Sequence, residues 1–182
     1  MSQRLPLPEI PRQKNSDFAA IYRVNRLAFG RENEANLVKT LRNNVPVFSF
    51  VAVEEEKVIV HILYSPVSLE SENKPNLNLL GLAPLAILPD YQSKGIGSLL
   101  TQYSLRECAA RGIDAVVVLG NPHFYHRFGF ITAQTKNLSC EYPVPEEVFM
   151  VLELRIDCLT GVQGLVKYRP GFDSVSKKFQ LI

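Results

Sequence analysis

The order of elements along this chain predicts an α/β (α+β) fold, with a mixed, largely antiparallel central sheet flanked by helices. Three observations carry the prediction. Residues 48–53 and 58–67 are β-branched and aromatic runs joined by Glu54-Glu55-Glu56-Lys57, the pattern of a hairpin. Residues 79–88 form an apolar strand that runs into a glycine-bearing loop. A helix follows, with Ile96, Leu99, Leu100 and Tyr103 on one face. Residues 115–119 then form a short, wholly apolar strand, as expected of a parallel strand covered on both faces. This strand–helix–strand crossover sets one parallel pair inside an otherwise antiparallel sheet.

Residues 8–12 read as a short first strand, which its prolines confine to an edge. Asn15-Ser16-Asp17 offers an N-cap for a helix over 17–29, where Phe18, Ile21, Tyr22, Ala28 and Phe29 keep roughly helical spacing, and Gly30 breaks it. A second helix over 32–43 rests on Ala35, Leu37, Val38 and Leu41 and ends at Asn43-Asn44-Val45-Pro46. After the hairpin, the polar residues 71–78 form a loop. The strand at 79–88 contains Gly81 and Pro84, and a proline there predicts a bulge or a side with no hydrogen-bonding partner. The helix that opens at Ile96 ends near Arg111-Gly112. Residues 123–128 read as a short helix, and 148–156 and 165–168 as closing strands.

At 182 residues the chain has the size of one domain, and its 46% apolar and 21% charged residues are those of an ordinary globular protein. The net charge is +2 with no long basic run, so neither a nucleic acid nor a membrane surface is an expected partner. The segment MSQRLPLPEIPRQ has no apolar core like that of a signal peptide, and no apolar stretch approaches the ~20 residues of a membrane span. Cys108, Cys140 and Cys158 are scattered, odd in number and without metal-like spacing. A reduced, cytoplasmic setting and no metal site are the simplest reading.

The chemistry concentrates in LAILPDYQSKGIGSLL, residues 85–100. The apolar run stops at Leu88-Pro89-Asp90-Tyr91, Gln92-Ser93-Lys94-Gly95-Ile96-Gly97 follow, and a helix begins. Such a junction turns several N–H groups and the positive helix end toward one point, which suits a phosphate or diphosphate. Gly95 and Gly97 carry no Cβ to hold a bulky anion away, and the free N–H groups of 93–98, Ser98 included, are its donors. Lys94 either adds charge or is an ordinary solvated lysine. The plain alternative is a strand–helix turn whose glycines serve backbone geometry. The Gly-x-x-x-x-Gly-Lys-Ser/Thr spacing of P-loop nucleotide binders is absent.

Following a strand and opening a helix, Gln92-x-x-Gly95-x-Gly97 resembles the acyl-CoA signature of the GNAT superfamily of N-acetyltransferases. Downstream, Asn121-Pro122-His123-Phe124-Tyr125-His126-Arg127-Phe128-Gly129-Phe130 resembles that superfamily's tyrosine-bearing segment. Gly81-Leu82-Ala83-Pro84-Leu85-Ala86 together with Leu119-Gly120-Asn121-Pro122 is similar to a subgroup of small bacterial predicted N-acetyltransferases. The element order agrees from about residue 8 to 155. The resemblance therefore implies a single acyltransferase domain over 1–182, with its core at about 8–155 and a C-terminal extension at 156–182.

It also implies a splayed parallel strand pair, with the pantetheine arm of acetyl-CoA laid along residues 85–87 like an added strand. Leu85 and Ile87, flanking Ala86, would supply backbone groups, and an N–H of this stretch would polarise the thioester carbonyl. Gln92, Ser93, Lys94, Gly95, Ile96, Gly97 and Ser98 would hold the diphosphate. Asn121 either hydrogen-bonds the pantetheine amide or forms a turn before Pro122. Tyr125 is the candidate acid, because a phenol of pKa near ~10 lies close enough to a thiol to protonate the leaving sulfur. Its plain alternative is a core tyrosine packed with Phe124 and Phe128.

The implied reaction moves an acetyl group from acetyl-CoA directly to a primary amine, on a small molecule or peptide. No cysteine lies in the loop or the tyrosine segment to carry an acyl-enzyme. The alternative is a CoA- or acyl-CoA-binding sensor or regulatory module without catalysis. No base is evident. His61 lies in an apolar run and reads as a hydrogen-bonded core histidine; His123 and His126 flank Tyr125 as surface residues. Glu32 and Glu34 either attract a cationic amine or are solvated helix-start acids. Deprotonating an alkyl ε-amine of pKa ~10.4 at pH 7 costs about 4–5 kcal/mol, and an α-amine near ~8 about 1. An acceptor of lowered pKa, or proton loss through ordered water, is therefore expected. The acceptor pocket would draw on residues 29–33, 71–78 and 132–148, and pairing of the last strands between subunits would make a homodimer.

Overall fold

The computed structural model describes residues 17–73 and 75–176. The strand expected at 8–12 lies outside them. The helices read in the first third are α1 (Phe18–Phe29) and α2 (Asn33–Asn44), separated by Gly30 at φ 65°. The hairpin is β1 (Phe48–Glu54) and β2 (Lys57–Pro66), turned through Glu55 and Glu56 in the left-handed region. A three-residue strand, β3 (Ser68–Glu70), precedes the loop and β4 (Leu79–Ile87). Then come α3 (Ile96–Ala110), β5 (Ala115–Leu119), α4 (Pro122–Tyr125), β6 (Ile131–Thr132), β7 (Leu138–Cys140), β8 (Phe149–Glu153), β9 (Gly164–Lys167) and α5 (Asp173–Ser176).

Six strands form the main sheet in the order β1-β2-β4-β5-β8-β6, and every neighbouring pair is antiparallel except β4 with β5. The single parallel pair is the consequence of the α3 crossover. From Val58 to Ser65, β2 is buried residue after residue, so both faces are covered, and both α1 and α3 pack on it. The Tyr64 hydroxyl and Ser104 Oγ, 2.7 Å apart, tie β2 to α3.

The closing strands differ from the expectation in one respect. β9 does not extend the main sheet; it lies between β3 and β7 in a second, three-stranded sheet, antiparallel to β3 and parallel to β7. Strands of three or four residues are too short to show the period of two that identifies a strand in sequence. Leu159, Val166, Tyr168 and Phe172 join the same buried core as the main sheet.

The pairing of β4 decides the rest. On one side it meets β2 along its length, but the register shifts. Ile62 faces Leu85 while Tyr64 faces Leu82, so Ala83 and Pro84, joined by a cis peptide, bulge out against Leu63. On the other side β4 meets β5 only from Leu79↔Ala115 to Leu82↔Val118. Beyond Leu82 the two parallel strands part, and residues 83–87 have a partner strand on one edge alone.

Candidate active site

The open edge of β4 forms one wall of a cavity of about 680 Å³. Leu82, Ala83, Pro84 and Leu85 supply that wall; residues 119–123 and Tyr125 supply the second. Phe29, Glu34 and Leu37, from the end of α1 and the start of α2, form the third, and Glu147, Val148 and Val175 complete it. A cavity of this volume is the size of a small-molecule site.

The loop after β4 sits beside this edge. Pro89–Tyr91 make one 3-10 turn, and the Gln92 side chain donates from Nε2 to the Ile87 carbonyl at 3.1 Å, folding the loop back on its own strand. Ser93 at φ 60° and Gly95 at φ 80° turn the chain into α3. Gly95 has open space where a Cβ would stand, so its requirement is conformational. Gly97 differs: a Cβ there would overlap the Ile87 side chain, so the missing side chain lets α3 sit down on β4. Among the described residues, no backbone carbonyl accepts from the N–H groups of 93–98, and the first helical bond at this end is Leu99 N–H to the Gly95 carbonyl at 3.1 Å. Lys94 Nζ lies 5.3 Å and Lys57 Nζ 5.6 Å from the centre of the Tyr91 ring, whose hydroxyl donates to Glu54 at 2.7 Å.

Asn121 opens the opposite wall as the N-cap of α4. Its Oδ1 accepts from the His123 N–H at 2.9 Å, and its carbonyl accepts from Phe124 and Tyr125 at 3.0 and 3.2 Å. Both expectations for Asn121 are thereby compatible: the cap uses its oxygen, and its amide nitrogen remains available on a residue that lines the cavity. α4 places Tyr125 with its ring buried, edge-on to Phe124 (5.0 Å) and Phe130 (5.5 Å). Phe128 packs on Phe124. Burial pushes the Tyr125 phenol well above its ordinary pKa of 10, so it remains protonated at neutral pH but is a weaker acid than the free phenol whose pKa matched a thiol's.

Gly120 fixes that ring. A Cβ at this position would stand inside the Tyr125 ring carbons, and a rigid, buried ring has no free rotamer to retreat into. Gly120→Ala should cost about 1–3 kcal/mol of stability by overpacking. Activity should fall as well, because the phenol is displaced; urea denaturation and kcat on the same preparation read both.

The other titratable groups fall into place around the cavity. His61 is fully buried between Asn25 Nδ2 (3.0 Å to Nδ1) and Ser49 Oγ (2.9 Å to Nε2), a hydrogen-bonded core histidine away from the cavity. His123 lines the cavity and His126 is exposed. Burial pushes the Cys108 thiol up to about 12 and Cys140 and Cys158 to about 11, and none lines the cavity.

The structure separates Glu32 from Glu34 and rules out the solvated reading for the second. Glu32 is exposed, as a helix-start acid should be, but Glu34 is 4% exposed and lines the cavity. Its carboxylate is held by Arg31, with Nη2 at 2.6 Å from Oε1 and Nε at 3.2 and 3.1 Å from the two oxygens. The signal was present: Glu34, Leu37, Val38 and Leu41 fall at i, i+3, i+4 and i+7, so Glu34 occupies a place on the buried stripe of α2.

Among the described residues, no helix is long and apolar enough to cross a membrane, and no group of three His, Cys, Asp or Glu side chains is placed to hold a metal ion.

Residues 47–132 match the family model described as acetyltransferase (GNAT) domain. The N-acetyltransferase YhbS of Escherichia coli K12 is 37% identical over 150 residues, covering 81% of this chain and 88% of that protein. YjhQ of the same organism is 36% identical over 137 residues, 72% of this chain and 75% of that one. The E. coli YhbS crystal structure in complex with CoA superposes with a TM-score of 0.87 at 33% identity over 95% and 96% of the two chains. A GNAT acetyltransferase from Brucella melitensis in complex with acetyl-CoA gives 0.74 at 29% identity over 91% and 97%. With a relative of 37% identity matched over most of both chains, the chain belongs to the GNAT family of N-acetyltransferases.

Proposed function

We infer that this enzyme transfers the acetyl group of acetyl-CoA to a primary amine by direct attack within a ternary complex. The observation that carries the reading is the junction of three features in one place: an unpaired strand edge, an N–H-rich loop beside it and a buried phenol across a cavity. CoA and acetyl-CoA occupy the E. coli and B. melitensis neighbours, and the residues here fit the same group. The N–H groups of 93–98 and the α3 dipole suit the diphosphate, with Lys94 nearby. The free edge at 83–87 suits the pantetheine amides, Asn121 can donate across from it, and the bound thioester supplies an activated acetyl carbon.

The chain's own residues then have limited tasks. A backbone N–H of Leu85 or Ile87 on the open edge stabilises the oxyanion that forms when the amine nitrogen bonds to the carbonyl carbon. As the C–S bond breaks, Tyr125 gives its proton to the departing sulfur and regains one from solvent. The nitrogen loses its proton to water. Among the described residues the cavity is lined by His123, which is exposed, by Glu147, and by Glu34, which Arg31 already engages, so no buried unpaired base is in place to take it, which favours α-amines near pKa ~8 over alkyl amines near ~10.4. Three cysteines without a disulfide fit a reducing compartment, the cytoplasm.

Free-thiol release from acetyl-CoA across an amine panel, with the acetylated product identified by mass spectrometry, tests the reading. One equivalent of thiol per amide is expected, with α-amines faster than matched ε-amines at pH 7. Acetyl-CoA binding with no turnover on any amine would instead identify a sensor module.

A further inference from the structure

We propose that Glu34 is the acceptor-recognition carboxylate of this enzyme, receiving the ammonium group of a compact amine carried on an apolar body. The proposal rests on the acetyl-transfer reading of the same cavity and assigns what that reading leaves open.

An ionised carboxylate is kept out of water only where other groups replace its hydration. Glu34 is 4% exposed, yet Arg31 satisfies it unevenly. Oε1 accepts the short 2.6 Å bond from Nη2 and a share of Nε; Oε2 has only the 3.1 Å share of that same Nε–H. A carboxylate oxygen accepts about two hydrogen bonds, so Oε2 retains capacity for another donor. The space that Glu34 borders is the cavity. A cationic donor placed there completes the carboxylate's coordination and, as an acceptor, passes one N–H proton to water before its nitrogen attacks, while Arg31 keeps the carboxylate oriented when the cavity is empty.

The remaining walls define the rest of the acceptor. Phe29, Leu37, Leu82, Val148 and Val175 are apolar, so the body attached to the nitrogen is aliphatic or aromatic. Val175 is held there by the α2 terminus, where Asn33 Nδ2 donates to the Ser174 carbonyl at 2.8 Å. Glu147, exposed at the rim, is a second carboxylate on the same cavity. Two carboxylates repel an acceptor that carries one of its own, so an amino-acid amide is preferred to the free amino acid. About 680 Å³, shared with the thioester end of the donor, admits a small molecule or a narrow chain end.

The test uses the full chain saturated with CoA, where no transfer occurs, and calorimetric titration with phenethylamine and its neutral analogue 2-phenylethanol. Phenethylamine should bind at least about tenfold tighter, as a charge-assisted hydrogen bond in a sheltered site provides, and Glu34→Gln should remove most of that advantage without weakening CoA binding. Equal affinities in the wild type, or an advantage that survives Glu34→Gln, would overturn the assignment. Should the variant not fold, the wild-type comparison still decides, together with L-phenylalaninamide against L-phenylalanine. The amide should be favoured at least about tenfold in kcat/KM or, if neither turns over, in affinity for the CoA complex, and parity overturns the assignment. Glu34-dependent amine binding without thiol release from acetyl-CoA sinks the transfer reading and leaves Glu34 standing; turnover indifferent to the charge next to the nitrogen does the reverse.

Discussion

Tyr125→Phe should lower kcat by about 100-fold or more while leaving the fold and the affinity for acetyl-CoA nearly unchanged, the loss expected when a positioned general acid is removed. The substitution deletes one oxygen and nothing else. The edge-on contacts with Phe124 and Phe130 and the close approach of Gly120 belong to the ring, and Phe retains them. Among the described residues, no side chain or carbonyl engages the hydroxyl, so its removal strands no partner. The pH dependence separates this role from simple packing. Burial raises the phenol above its ordinary pKa of 10, so Tyr125 stays protonated through the neutral range and adds no falling limb to the wild-type profile below about pH 10. The rise of rate with pH should therefore follow the acceptor amine alone, in wild type and variant alike, with the variant displaced downward at every pH. A kcat within about threefold of wild type would reduce Tyr125 to a core tyrosine, since general acid catalysis is worth about two orders of magnitude at least.

What the sequence disclosed and what it concealed follow one physical division. The β4–loop–α3 junction was legible because each part has its own local mark: a continuous apolar run, glycines where backbone must turn or approach, and a 3.6-residue period. The bulge at Ala83-Pro84 was legible from the proline, which cannot join a regular ladder. Tyr125 and Asn121 were placed by their segment, though only the geometry explains Gly120, whose absent Cβ makes room for the tyrosine ring. The second sheet was hidden because its three-residue strands β3 and β7 carry no period, and β9 reaches them only through long-range pairing. The choice between the two readings of Glu34 was hidden for a different reason. A carboxylate at a helix start satisfies the dipole rule equally well in solvent or in a cavity wall. Only its place on the stripe with Leu37, Val38 and Leu41, and Arg31 three residues before it, argued for burial.

Acid should destabilise this protein through His61, by about 2 kcal/mol between pH 7.5 and pH 5, beyond what its carboxylates contribute. Asn25 Nδ2 already donates to the Ile21 carbonyl and to His61 Nδ1, so Nδ1 is the acceptor and Nε2–H donates to Ser49. The ring is neutral and both nitrogens are used. Burial, and secondarily the positive charge of Arg42, hold its pKa down to about 3, against about 6.5 in the unfolded chain. Below pH 6.5 the unfolded state therefore binds a proton that the folded state refuses. Stability falls by about 1.4 kcal/mol per pH unit until pH approaches 3, and above 6.5 the group has no effect. His61→Gln keeps a polar side chain that cannot titrate. Urea denaturation of both proteins at pH 7.5 and 5.0 gives a difference of differences in which the carboxylates cancel, and the variant should lose about 2 kcal/mol less than wild type. Equal losses would mean that His61 is protonated within the fold. The register gives the effect a local address, because His61 pairs with Ala86, between Leu85 and Ile87 on the strand whose other edge is open. A proton forced onto this ring therefore strains the segment proposed to carry the thioester, and activity in acid should fall no later than the global unfolding transition.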